Sequence, residues 1–192
     1  MAEVLLFPHA QGLTAGVRAW AEELRGAGHV VHVPDLYEGR VFADLEEGVE
    51  HARKTGFGTL VERGAAAAAD LPADLVYAGT SLGVLPAQKL AQTRPGARGA
   101  VLLEACVPVG EFGERWPAEV PVQIHGMADD PSFAGEGDLD AARALVAQAP
   151  RGELFLYPGD SHLFTDRSLP SYREEPAARV LGRVLDFLGG LG

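Results

Sequence analysis

Gly79-Thr80-Ser81-Leu82-Gly83 forms a G-x-S-x-G pattern between an apolar run at residues 75–78 and a run of helical period at residues 82–93. A strand, a sharp turn and a helix in that order present a serine hydroxyl on a strained elbow, where it can attack a carbonyl carbon. Gly79 lets the strand end pack closely under the turn, and Gly83 lets the helix start without a Cβ collision. Ser81 is expected to stand exposed at a helix N-terminus, facing unpaired N–H groups and the positive end of the helix dipole. A serine there can also simply cap the helix.

The residues downstream favour the chemical reading. A serine nucleophile needs a general base and a carboxylate to orient it. Residues 120–125 read as a buried strand that opens into Gly126-Met127-Ala128-Asp129-Asp130-Pro131. Residues 154–157 read as the next strand, opening into Pro158-Gly159-Asp160-Ser161-His162-Leu163-Phe164. His162 is the expected base. Asp129 and Asp130 are both candidates for the acid, with Asp130 preferred because it precedes Pro131, and the other aspartate is left as a turn residue.

Short apolar runs alternating with helical segments are what must position these groups, and they predict βαβ units around a mostly parallel sheet with helices on both faces. Strands are expected at 4–7, 29–33, 75–78, 100–105, 120–125 and 154–157. Helices are expected at 15–25, 41–55, 56–70, 82–93, 138–148 (capped by Asp138) and 174–188. The last should bury Ala178, Leu181, Leu185 and Leu188. No repeat or linker interrupts the pattern, so residues 1–192 are read as one domain. Ligands in such sheets sit outside the carboxyl ends of the strands, where Ser81, Asp130 and His162 all fall.

Three signatures together resemble the dienelactone hydrolase family of α/β-hydrolases: Pro8-His9-Ala10-Gln11-Gly12-Leu13 followed by Pro34-Asp35-Leu36-Tyr37, the serine elbow, and Tyr157-Pro158-Gly159-Asp160-Ser161-His162. The resemblance spans nearly the whole chain and implies an α/β-hydrolase fold without a large cap domain. It also implies Ser81 as nucleophile where the founding enzymes use cysteine, His162 as base, Asp130 as acid, and an oxyanion hole from the backbone N–H groups of Ala10 and Leu82. Two positions depart from the family. His9 stands where the founding enzymes place a glutamate, and could line the site together with Asp129. Asp166, beside Arg167, stands where they hold an arginine for the substrate carboxylate. An acid there directs the expectation toward neutral small esters or lactones. A non-catalytic ligand-binding relative, or a thioesterase or acyltransferase using the same triad, are the alternatives.

Composition bounds the remainder. The chain has 192 residues, 47% hydrophobic and 22% charged, which suits a globular core. Its net charge of −11 argues against nucleic acid or anionic membrane as a partner. No cofactor is implied. His29, His32, His51 and His125 have no metal-ligand spacing, and a metal set built from Asp129, Asp160 and His162 is disfavoured. Cys106, the single cysteine, cannot form an intrachain disulfide and reads as a buried small hydrophobe. With neither a signal peptide nor a membrane-length apolar run, the expected location is cytoplasmic. Oligomeric state is not legible.

Overall fold

The computed structural model describes residues 1–191. Six strands make one wholly parallel sheet: β1 (Glu3–Phe7), β2 (Val30–His32), β3 (Val76–Thr80), β4 (Gly99–Leu103), β5 (Val122–Met127) and β6 (Gly152–Tyr157). They lie in the order β2-β1-β3-β4-β5-β6. The order reverses at β1, so a crevice opens beyond the carboxyl ends of β1 and β3, the place where such sheets hold ligands.

Alternation along the strands assigns the two faces, since successive side chains point to opposite sides. Leu5, Tyr77, Leu102 and Ile124 pack on one face, under α2 (Leu45–Thr55), α3 (Phe57–Ala67), α4 (Val84–Thr93) and α6 (Asp138–Gln148). Val4, Leu6, Val76, Val101 and Leu103 pack on the other, against α1 (Ala15–Gly26) and α7 (Glu174–Gly190). The central strands β3 and β4 are buried throughout, which is why they read as continuous apolar runs. A five-residue helix, α5 (Pro131–Gly135), follows β5.

The expected elements are all present, with local corrections. The helix expected from residue 41 begins at Leu45, because the Asp44 side chain accepts the Glu47 N–H at 2.8 Å and caps it. Gly56, at φ +92°, separates α2 from α3. Asp138 does not cap α6. Gly137 precedes the helix at φ +103°, and the Asp138 carboxylate instead accepts the Cys106 backbone N–H at 3.0 Å. On α7 the buried stripe is Ala177, Val180, Val184 and Leu188. Ala178 is exposed, and Leu181 and Leu185 lie half-buried on the flank, because the two valines face the sheet directly. No helix among the described residues is long and apolar enough to cross a membrane.

Leu102 is fully buried in β4 between its neighbours β3 and β5. Leu102→Ala should cost about 2–5 kcal/mol, lowering Tm by roughly 5–15 °C for a chain of this size. Calorimetry checks this, and an unchanged Tm would show that the core does not lie where the strand alternation puts it.

Candidate active site

The elbow depends on backbone contact that no Cβ could share. A Cβ on Gly79 would fall against the Gly83 carbonyl. One on Gly83 would fall against the Phe7 carbonyl and within 2.7 Å of the Pro8 carbonyl. Both positions therefore need glycine, and the turn nests against the end of β1. Ser81 itself adopts φ +49°, the left-handed region that non-glycine residues rarely occupy. A single 3-10 turn, Ser81–Gly83, leads into α4. Ser81 is half-buried on the lining of a cleft rather than exposed.

Three of the expected residues meet in one line. Ser81 Oγ lies 2.9 Å from His162 Nε2, and His162 Nδ1 lies 2.7 Å from Asp130 Oδ2. Asp130 is wholly buried, and its Oδ1 accepts the Ser132 N–H at 2.9 Å, capping α5. Between the two aspartates, Asp130 meets the histidine. Asp129 is exposed outside the cleft lining, where its backbone N–H donates to the Gly159 carbonyl at 3.0 Å. Burial resists charge on His162. The Asp130 hydrogen bond and the negative charges of Glu104, Asp130 and Asp138 outweigh that resistance and hold the imidazole above its ordinary pKa.

The loop after β1 brings Ala10 toward the elbow. Ala10 is buried, and among the described residues no group accepts its N–H, whereas the Gln11 and Gly12 N–H groups go to His9 Nδ1 and His9 O. Leu82 lies on the cleft wall at the start of the helical run. Of the two residues expected to supply oxyanion-hole N–H groups, Leu82 is on the cleft lining and Ala10 is not.

His9 does not line the cleft. The Gln11 N–H donates to its Nδ1, which leaves Nε2 to donate to Asp166 Oδ2 at 2.9 Å, and both side chains are buried. Thr14 Oγ1 also donates to Asp166 Oδ2, while the Ser168 N–H and Oγ donate to Oδ1 at 2.8 and 2.6 Å. Burial would raise the Asp166 pKa, but the bonds from His9, Ser168 and Thr14 lower it to about 2. Asp166 thus faces the loop behind the site, not the substrate space, because its carboxylate satisfies donors there. Arg167 pairs with Glu23 on the surface.

The cleft encloses about 400 Å³, lined on its apolar side by Leu45, Val49, Phe57, Leu82, Leu85 and Val107. Glu104, Glu136 and Asp138 line it as well. Arg53, also on the lining, is paired with Glu50. Glu104 was not singled out by the sequence reading. Its signal is an acid closing the apolar run of the strand beside the elbow. Cys106 is buried as expected, and burial followed by the Asp138 charge pushes its thiol up to about 12. Among the described residues, no group of three or more His, Cys, Asp or Glu side chains could hold a metal ion.

Residues 1–191 match the family described as the dienelactone hydrolase family. No curated protein sequence matches the chain. Similar solved structures include a candidate dienelactone hydrolase from Klebsiella pneumoniae, with 21% identity, 98% of this chain and 87% of that one covered, and a TM-score of 0.75. A dienelactone hydrolase-like promiscuous phosphotriesterase, P91, from metagenomic libraries gives 19%, 100%, 87% and 0.76. Esterase 2 of Thermogutta terrifontis gives 18%, 100%, 84% and 0.64. At these identities the likeness shows the α/β-hydrolase fold.

Asp166→Asn removes the acceptor that holds His9 and Thr14. A carboxylate lowered on folding contributes stability that is complete above its unfolded pKa of about 4 and is lost as pH falls toward 2. The variant should therefore melt below the wild type at neutral pH, with a gap that closes as pH falls from about 4 to 2. Calorimetry across pH 2–7 measures it, and a gap independent of pH would rule the ionised network out.

Proposed function

The chain belongs to the dienelactone hydrolase family, and from that premise we propose that it cleaves neutral carboxylic esters or lactones through an acyl-serine intermediate. The observation that carries this reading is the unbroken run from Ser81 Oγ through both His162 nitrogens to Asp130 Oδ2. Asp130 accepts the Nδ1 proton and so leaves Nε2 free to take the Ser81 proton. Ser81 Oγ then bonds to the carbonyl carbon, and the oxyanion is held by the N–H groups of Ala10 and Leu82. His162 returns its proton to the leaving alcohol. A water molecule, deprotonated by the same nitrogen, releases the acid and restores the serine.

Substrate charge follows from the cleft. Glu136 and Asp138 line it, Glu104 adds negative charge in its ionised form, and Arg53 on the same lining is paired with Glu50. That field opposes an anionic substrate, so the preference for neutral esters rests on these acids and not on Asp166.

Ser81 should form a single adduct with a fluorophosphonate, read by intact mass, and lose it in Ser81→Ala and His162→Ala. Adducts on Thermogutta esterase 2 from tabun and sarin make phosphorus electrophiles a suitable probe class for this fold. With p-nitrophenyl acetate, either variant should lose about 10⁴-fold or more in kcat. Because the base must be neutral and its pKa is raised, the acid limb of kcat/KM should centre above about 6.5. A folded protein that takes no adduct at Ser81 would sink the catalytic reading and leave a ligand-binding relative.

A further inference from the structure

Glu104 follows the last residue of β4, the strand beside the elbow strand, and holds φ +63°, a conformation strained for any residue with a side chain. Its side chain is buried, yet it is on the lining of the cleft that holds Ser81 and His162. One carboxylate oxygen, Oε1, accepts both the backbone N–H of Thr165 at 3.1 Å and its Oγ1–H at 3.2 Å. Thr165 lies three residues beyond His162, so this grip fastens the loop that carries the imidazole. The other oxygen, Oε2, is buried with no partner among the described residues. A carboxylate oxygen buried without a partner is costly, and natural structures keep such groups where they serve function.

We propose that Glu104 is a second carboxylate of this site, a positioning residue that fastens the His162 loop and whose charge acts on the imidazole from the β4 side while Asp130 acts from the β5 side. The proposal rests on the reading of Ser81 and His162 as nucleophile and base. Burial, with its lone oxygen, pushes the Glu104 carboxyl up to about 7, although the His162 charge and the Thr165 hydrogen bonds favour ionisation. The charge of each group bears on the ionisation of the other, so their titrations are coupled. The groups facing them are Asp130 from the loop after β5 and Asp138 from the start of α6, with Glu136 on the same lining. When His162 accepts the Ser81 proton, an ionised Glu104 stabilises the imidazolium at a point where Asp130 alone makes contact.

The test follows kcat/KM for p-nitrophenyl acetate from pH 5 to 9 in the wild type, Glu104→Gln and Thr165→Val. In parallel, the His162 imidazole is titrated by NMR in Ser81→Ala proteins with and without Glu104→Gln. Glutamine keeps an acceptor for Thr165 and removes the charge, so the kinetic acid limb and the NMR midpoint should both move down by roughly one unit, with KM little changed. Thr165→Val loosens the grip but keeps the charge and should leave the midpoint in place. A glutamine shift under about 0.3 unit, or an equal shift in Thr165→Val, overturns the proposal. In Ser81→Ala itself, the Glu104 carboxyl and the His162 ring should inflect together at two shared midpoints. Independent single-step curves would overturn the proposal with no change at position 104. A wild type without turnover would sink the function, while the NMR titrations would still decide the role of Glu104.

Discussion

Everything at the carboxyl edge of the sheet depends on one steric constraint, the absence of a Cβ where the end of β1, the end of β3 and the start of α4 meet. Gly79 and Gly83 let three backbones share that space, and the strain concentrates on Ser81, the residue between them. Because Phe7 is in register with Gly79, the same junction sets how far the β1 loop and Ala10 stand from the serine. The constraint continues outward, since a Cβ on Gly48 of α2 would fall against the Ala10 carbonyl. Ser81 and the Ala10 loop are thus positioned by the main chain.

Around this rigid junction the remaining groups are placed by electrostatics. Asp130 divides its two oxygens between His162 and the first turn of α5, so a five-residue helix keeps the acid oriented. Behind the β1 loop, Asp166 gathers His9, Thr14 and Ser168 into a buried network that never reaches the cleft. Two buried acids near the site, Glu104 and Asp166, therefore have opposite tendencies. Asp166, surrounded by donors, is held charged, and Glu104, with an oxygen unmet, is pushed toward neutrality.

Much of this was legible in the sequence. Alternating strand and helix patterns located every strand of the sheet, and strand ends located Ser81, Asp130 and His162, because local periodicity and turn residues carry that information. What the sequence did not carry was side-chain direction. His9 and Asp166 sit on loops at the right edge of the sheet but turn toward each other, a choice set by partners 157 residues apart. Asp129 and Asp130 are adjacent in the chain, and the preference for Asp130 rested on Pro131, which proves to be the first residue of the helix that Asp130 caps. Glu104 looked like the end of an apolar strand, and its meaning depends on Thr165, 61 residues away. On α7 Leu188 is buried as expected, but Ala178, Leu181 and Leu185 each lie one position past the buried Ala177, Val180 and Val184, because several apolar residues could face the sheet and packing on the strands decided among them.

The acid-lined cleft has a further consequence on the outgoing side of the reaction. Under the proposed ester cleavage, an uncharged guest would become a carboxylate anion beside Glu136 and Asp138, with Arg53 paired to Glu50. The field that admits the neutral molecule repels the anion made from it. On that proposal each turnover would change the sign of the cleft's preference for its own contents and favour release of the acid.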